Sequence, residues 1–409
     1  MKRTSHRPFD LIVFGATSFV GQLLCRHLVE RHGTSGALKW AIAGRDAAKL
    51  DQVAQDTGAD VERIIADASD RQALAGLAES TRVVVSTVGP YALYGSELIA
   101  AVVAAGTDYC DLTGEPQWMR AMIDAHSESA VASGARIVHA CGFDSIPSDL
   151  GVWFTQQRSI ERFDSPCDHV AMRVYAMKGG ASGGTIASMM NLMEEAAADP
   201  DLRRLLADPY ALAPKEMRSG VQQRELTAPT HDAASGQWIA PFVMAGVNTR
   251  VVQRTHALLG RPWGDDFKYE EAMVMGSGLA GGVKAAGLSA GILGGMGLAA
   301  LSPARKVLTQ FVLPKPGEGP SPQAQRDGYF ELRFFVLTPT GRAIRTQVTG
   351  DRDPGYGCTA RMLGEAAVAL VDLDPQEVGG GFWTPSTAFG DSLIERLESH
   401  AGVEFNVLI

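Results

Sequence analysis

The chain has 409 residues, 45% hydrophobic and 20% charged, which suits a globular protein of two domains with a substantial core. A formal net charge of −9 argues against a broad nucleic-acid-binding face, for which a basic surface is expected. Five cysteines without CxxC spacing indicate reduced thiols and a cytoplasmic setting, and Lys2, Arg3 and Arg7 run straight into a strand rather than into a secretory leader.

The first predicted strand, Phe9 to Phe14, runs into Gly15-Ala16-Thr17-Ser18-Phe19-Val20-Gly21 and then a helix from Phe19 to Glu30. Gly15 permits a sharp turn, Ser18 stands at the usual middle glycine, and Gly21 allows close packing of helix on strand. Backbone N–H groups from Thr17 to Val20, at the positive end of the helix, would face a pyrophosphate. A second strand, Leu38 to Gly44, ends in Arg45, with Lys49 one helical turn beyond. An acidic residue there selects NAD, whereas arginine pairs with the 2′-phosphate of NADP. Arg45 also reads as a solvated surface charge. A third strand, Val61 to Asp67, places Asp67 to reach the adenine side or to cap the next helix.

The fourth strand, Thr81 to Val88, delivers Val88, Gly89, Pro90, Tyr91 and Tyr94 to the carboxyl edge of the sheet, where ligands of open parallel sheets bind. Helices at 96–105 and 117–133 then alternate with strands at 107–112 and 135–140. This spacing predicts a Rossmann-type, doubly wound α/β domain over residues 1–150.

After Gly151 the pattern changes. A strand-like run over 163–177 leads into the glycine-rich loop Lys178 to Thr185, which would let backbone approach a ligand or act as a hinge, and a helix follows at 186–198. Residues 199–238 are polar and rich in turn formers. Val247 to Leu258, Tyr329 to Val336 and Ala343 to Gly350 read as strands of a second sheet on the substrate side. The stretch Met273 to Leu301 is apolar and glycine-rich, with Lys284 as its single charge. Four readings stand for it: packed helices lining an acyl pocket, a surface hairpin touching membrane or a partner, ordinary core, and a membrane-spanning segment, against which the many glycines count. Pro314 to Pro322 reads as a loop. Gly379 to Gly390 precedes a helix at 391–399 and a strand at 403–408. The expected organisation is an α+β substrate or partner domain over 151–379, with 380–409 a candidate for completing the first domain.

Nine histidines show no metal-ligand spacing, and no Gly-x-Ser-x-Gly elbow suggests a hydrolase. Candidate proton donors at the strand ends are Tyr94 first, then Tyr91, Asp144 and Ser145. The tyrosines would serve equally to pack on a cofactor, and Asp144 to orient its loop or cap the following helix.

The turn Gly15 to Gly21, Ala43-Gly44-Arg45, Val88 to Tyr91 with Tyr94-Gly95, Asp111 to Glu115 and, above all, Cys141 to Gly151 resemble the saccharopine dehydrogenase-like oxidoreductases, in particular the mycobacterial-type trans-acting enoyl reductases. The resemblance continues through Gly183-Gly184-Thr185, Asn248-Thr249-Arg250 and Gly380 to Pro385 with Gly390-Asp391. It implies an NADP-linked reductase acting on an enoyl thioester carried by a partner polyketide synthase, in lipid assembly. Water exclusion and a proton donor would then be needed beside the nicotinamide. Two rivals remain. One is a reductase of amino-acid-derived imines, for which Arg173, Arg250 and Arg254 would hold carboxylates. The other is a non-catalytic NADP-binding protein on a lipid surface, with peripheral membrane contact through 273–301. A homodimer is compatible with each.

Overall fold

The computed structural model describes residues 7–179, 183–300, 319–337 and 341–408. Its first half alternates strands and helices: β1 (Phe9–Phe14), α1 (Phe19–His32), β2 (Trp40–Gly44), α2 (Ala47–Thr57), β3 (Glu62–Ile65), α3 (Arg71–Ser80) and β4 (Thr81–Ser86). Then come α4 (Tyr91–Tyr94), α5 (Ser96–Ala105), β5 (Asp108–Asp111), α6 (Pro116–Ser133) and β6 (Arg136–Val138). These strands form a parallel sheet ordered β3-β2-β1-β4-β5-β6, a Rossmann-type doubly wound arrangement. β1 is apolar on both faces because both are covered. Leu11 and Val13 pack with Leu24 and Leu28 of α1, whereas Ile12 and Phe14 meet Leu74 of α3 and Ile99 of α5. Ser18, Asp46 and Asp70 cap α1, α2 and α3.

From this sheet α7 (Ile146–Phe163) crosses to a second one, built from β7 (His169–Lys178), β8 (Thr230–His231), β9 (Trp238–Ala240), β10 (Lys268–Gly276), β11 (Tyr329–Leu337) and β12 (Ala343–Gly350). β7 and β10 run parallel and the other pairs antiparallel. The helices between are α8 (Gly183–Ala198), α9 (Pro200–Ala207), α10 (Ala245–Leu258), α11 (Gly278–Ala300) and α12 (Pro322–Arg326). α7 lies against the second sheet at Gly151, where a Cβ would come within 2.1 Å of the Phe334 ring. The Cys141 to Gly151 block is thus a crossover that cannot carry a side chain at its tightest point.

A π-helical turn, Pro354–Cys358, then α13 (Thr359–Asp372), β13 (Gly381–Trp383), α14 (Pro385–Phe389), α15 (Asp391–His400) and β14 (Val403–Val407) end the chain. β13 adds to the first sheet beside β6 and β14 adds to the second beside β12, so residues 380–409 contribute a strand to each. α13 falls within 151–379 yet packs on α1 and the first sheet through Met362, Leu363 and Ala366. The buried Asp149 carboxylate ties α7 to Thr255 of α10 and to the Ser386 N–H of α14.

Two sequence expectations need correction. Residues 247–258 form helix α10, not a strand. Its β-branched residues suggested extended chain, but Val247 and Val251 recur at helical spacing and packing overrides propensity. Over its described part, 273–300, the apolar tract is not a hairpin, and it is core on one face only. It begins as the end of β10 and becomes the single helix α11, seated on β9 and β10 through Gly281, Ala285 and Ser289. Its other face is open, with Leu279 92%, Val283 73% and Leu293 61% exposed. Among the described residues no helix is long and apolar enough to cross a membrane. Residues 180–182 of the glycine-rich loop and 314–318 of the proline-rich loop lie outside the described residues.

Candidate active site

The candidate site lies at the carboxyl ends of β1, β4, β5 and β6, neighbours in the first sheet. Gly15 has φ +88°, and a Cβ there would meet Val88 Cγ2 at 2.6 Å and Thr87 Oγ1 at 2.8 Å. Gly21 is equally constrained, since its Cβ would fall 2.3 Å from the Gly15 carbonyl oxygen. These two positions hold the helix N-terminus tight against the strand end. The Ser18 hydroxyl accepts from the Gly21 N–H at 2.9 Å and pairs with Thr87 Oγ1 at 2.9 Å. Thr87 in turn donates to the Gly15 carbonyl at 2.9 Å. Among the described residues the N–H groups of Thr17, Phe19 and Val20 donate to no protein acceptor, which leaves them for an anion. Phe19 closes one side of the turn, edge-on to Tyr356 at 5.2 Å.

On the β2 and β3 side, Arg45 and Lys49 are exposed beyond the end of β2. Asp67 accepts from the N–H and hydroxyl of Ser69 at 2.9 and 2.6 Å, and these hydrogen bonds hold its carboxyl below the ordinary value. The cap of α3 is Asp70, so the capping alternative raised for Asp67 falls to its neighbour.

On the β4 to β6 side the structure separates the proton-donor candidates. Tyr91 is buried, its hydroxyl donating to the Ser86 carbonyl at 3.0 Å, and burial raises its pKa well above the usual value. Tyr94 ends α4 and is 47% exposed. Asp144 is half-buried in the turn after β6, its carboxyl oxygens facing Gly114 and Gly142. Burial and then the Asp111 carboxylate push Asp144 up to about 7, so a proton sits there near neutral pH. Ser145 is fully buried and donates to Asn248 Oδ1 at 3.0 Å.

Sequence reasoning gave no role to three groups that shape this edge. Glu115, at the end of the Asp111 to Glu115 segment, accepts from the Tyr91 and Ala92 N–H groups at 2.9 Å each and from Ser188 of α8, linking the two halves of the molecule. Thr359 accepts from the Phe143 N–H at 2.9 Å. Met244 lies beside Gly114 and supplies an apolar wall. An acidic residue just past a strand end signals Glu115, but Thr359 and Met244 are brought in from 359 and 244 by the fold alone.

Arg173, Arg250 and Arg254 are each buried and already engaged. Arg173 pairs with Asp232 at 2.9 Å and with Glu270. Arg250 donates to the Gly246 and Leu206 carbonyls, and Arg254 to those of Leu212 and Phe382.

Residues 11–138 match the saccharopine dehydrogenase NADP-binding domain. The chain is 40% identical over 414 residues to a candidate trans-acting enoyl reductase of Mycobacterium tuberculosis, covering 97% of each protein. It is 38% identical to a trans-acting enoyl reductase of Mycobacterium bovis, covering 98% of this chain and 97% of the relative. The chain belongs to the saccharopine dehydrogenase-like oxidoreductases, among the trans-acting enoyl reductases. Like others of this family it is an NAD(P)H-dependent oxidoreductase with an NADP-binding domain. The fold agrees. Saccharopine dehydrogenase from Saccharomyces cerevisiae superposes with a TM-score of 0.56 at 10% identity, covering 98% of this chain and 100% of that one. Homospermidine synthase from Legionella pneumophila, solved with NAD, gives 0.50 at 10% identity, covering 98% and 91%. The oxidoreductase's glycine turn, which Val88 and Thr87 hold too tightly for a side chain at Gly15, presents the backbone N–H groups of Thr17, Phe19 and Val20, and such donors at a helix N-terminus fit a dinucleotide pyrophosphate.

Proposed function

We propose that this protein reduces the carbon–carbon double bond of an enoyl thioester carried by a partner polyketide synthase, with NADPH as reductant. The observation that carries the choice of substrate is the state of Arg173, Arg250 and Arg254. An amino-acid imine needs cations free to meet its carboxylates, and these three are buried against carboxylates or carbonyls of the protein itself. An enoyl thioester has no such need and suits a crevice walled by Met244 and Tyr91.

Gly15, Thr17, Ser18, Phe19, Val20 and Gly21 would hold the pyrophosphate, Arg45 and Lys49 would meet the 2′-phosphate, Asp67 would serve the adenine side, and Val88, Gly89 and Pro90 would serve the nicotinamide side. When bound, the nucleotide would supply a hydride for the β-carbon. Asp144 then gives its proton to the α-carbon as the enolate collapses, and recovers one from solvent. We prefer Asp144 to the tyrosines because the Tyr91 hydroxyl is committed to Ser86 and Tyr94 stands in solvent, where water cannot be excluded. Glu115 holds the segment from Tyr91 in place.

The open apolar face of α11 is where we place peripheral contact with a lipid surface. NADPH oxidation by the purified protein, followed with a series of enoyl thioesters and with amino-acid imines, tests the substrate assignment. Turnover confined to the imines overturns it.

A further inference from the structure

Asp144 sits in a turn whose two neighbouring residues are tethered to different elements. On one side the Phe143 N–H donates to Thr359 Oγ1 at 2.9 Å, and that hydroxyl donates onward to the Pro354 carbonyl at 2.8 Å. On the other side the Ser145 hydroxyl donates to Asn248 Oδ1 at 3.0 Å. Asn248 Nδ2 donates to Glu271 Oε2 at 3.0 Å, and Tyr269 donates its hydroxyl to Glu271 Oε1 at 2.6 Å. Ser148 adds a further hydrogen bond to the same carboxylate. Ser145, Asn248, Tyr269 and Glu271 are all buried.

We propose that Asn248 and Glu271 are positioning residues that aim Asp144 into the crevice through Ser145. This rests on the assignment of Asp144 as proton donor. The polarity of the chain runs one way. Three donors converge on Glu271, so it accepts, and the Asn248 amide must turn its nitrogen toward it. The Asn248 oxygen therefore faces Ser145, whose hydroxyl is obliged to donate and cannot rotate to another partner. Burying a carboxylate and an amide is costly where apolar side chains would hold α7 on α10 as firmly, and a fully satisfied network contributes fixed orientation instead. The second sheet, through β10, thereby sets the geometry of a group on the first.

The test compares Ser145→Ala and Asn248→Ala with Asp144→Asn and the parent enzyme. Steady-state turnover of an enoyl thioester, NADPH binding by fluorescence, and the pH dependence of kcat are measured for each. The expected result for Ser145→Ala and Asn248→Ala is a kcat lower by about 10-fold or more, because misaiming a reacting group is costly, with NADPH affinity held within about twofold. The midpoint of the kcat profile moves to lower pH as Asp144 gains solvent, while Asp111 and Tyr91, the groups that face it from β5 and α4, are unchanged. Full kcat and an unmoved midpoint in Ser145→Ala, with Asp144→Asn inactive, overturn the positioning role. So does a fall in kcat matched by an equal loss of NADPH binding. Full activity in Asp144→Asn removes the proton-donor assignment itself and this proposal with it.

Discussion

The Ser18 hydroxyl and Thr87 Oγ1 stand 2.9 Å apart, so the residue in the middle-glycine position of the nucleotide turn is tied to the end of the fourth strand. A serine is tolerated there because its side chain turns back onto the helix it caps, leaving the backbone N–H groups to the ligand. Replacing Ser18 by Ala removes the cap and the Thr87 link together and is expected to cost about 1 kcal/mol of stability, read by thermal unfolding. Ser18→Gly costs only a few tenths of that unit and keeps NADPH affinity within about twofold. A large affinity loss in Ser18→Gly contradicts this account, because it would give the hydroxyl a direct role on the phosphates.

Arg45 is exposed at the end of β2, near enough to the Asp67 carboxylate to help lower its pKa, and a 2′-phosphate would give it a second, doubly charged partner. A hydrogen-bonded charge pair of this kind contributes about 1.5–3 kcal/mol, so Arg45→Ala is expected to weaken NADPH binding by roughly 10- to 100-fold. NADH binding should be unchanged. Calorimetric titration of both nucleotides against both proteins decides it, and parallel losses for the two remove the phosphate assignment.

Asp144 makes a prediction about pH with a definite sign. Its carboxyl is pushed up to about 7 by burial, so the proton needed for transfer is present below that pH and lost above it. The rate of reduction at saturating NADPH should fall as pH rises through about 7, and Asp144→Asn should abolish the reaction while Tyr94→Phe spares it. Stability runs in the same direction. A carboxyl whose folded pKa exceeds its unfolded one holds an extra proton in the fold between the two values, so stability declines as pH rises across that window. Asp144→Asn removes the ionisation, and its melting temperature at pH 8 should exceed that of the parent. An inactive Tyr94→Phe would transfer the proton-donor role to that tyrosine.

The first sheet was legible in the sequence because its signals are local: an apolar strand, a glycine turn and a capped helix recur within thirty residues. Helix 96–105 and the strand over 81–88 needed no distant information. α13 was not legible, because it returns from the far end of the chain to cover that sheet and nothing near residue 359 says so, whereas β13 lies in the 380–409 segment that the sequence offered as a candidate for completing the first domain. α10 misled for a related reason. Its Asn248, Arg250 and Arg254 are buried polar groups whose partners, such as Glu271 and Leu206, lie far away in sequence, so its composition reads as an alternating strand until those partners are seen. The site divides the same way, the cofactor turn standing in one heptapeptide while Thr359 and Asn248 reach Phe143 and Ser145 across the fold.

α11 carries the last prediction. At Gly287, Gly291, Gly294 and Gly295 an added Cβ would meet nothing within 4 Å, and Leu279, Val283 and Leu293 project beside them. An apolar surface of this extent on a globular protein marks a contact site, and Lys284 sits where anionic headgroups would be met. The protein should therefore float with anionic phospholipid vesicles, and substituting both Val283 and Leu293 by Glu should release it, since each change places a charge in the face that would enter the interface. NADPH binding should be unaffected, because α11 packs on the second sheet and not on the nucleotide turn. If the unaltered protein stays with the soluble fraction at every vesicle concentration, the lipid contact is wrong, and the open face of α11 belongs to a protein partner instead.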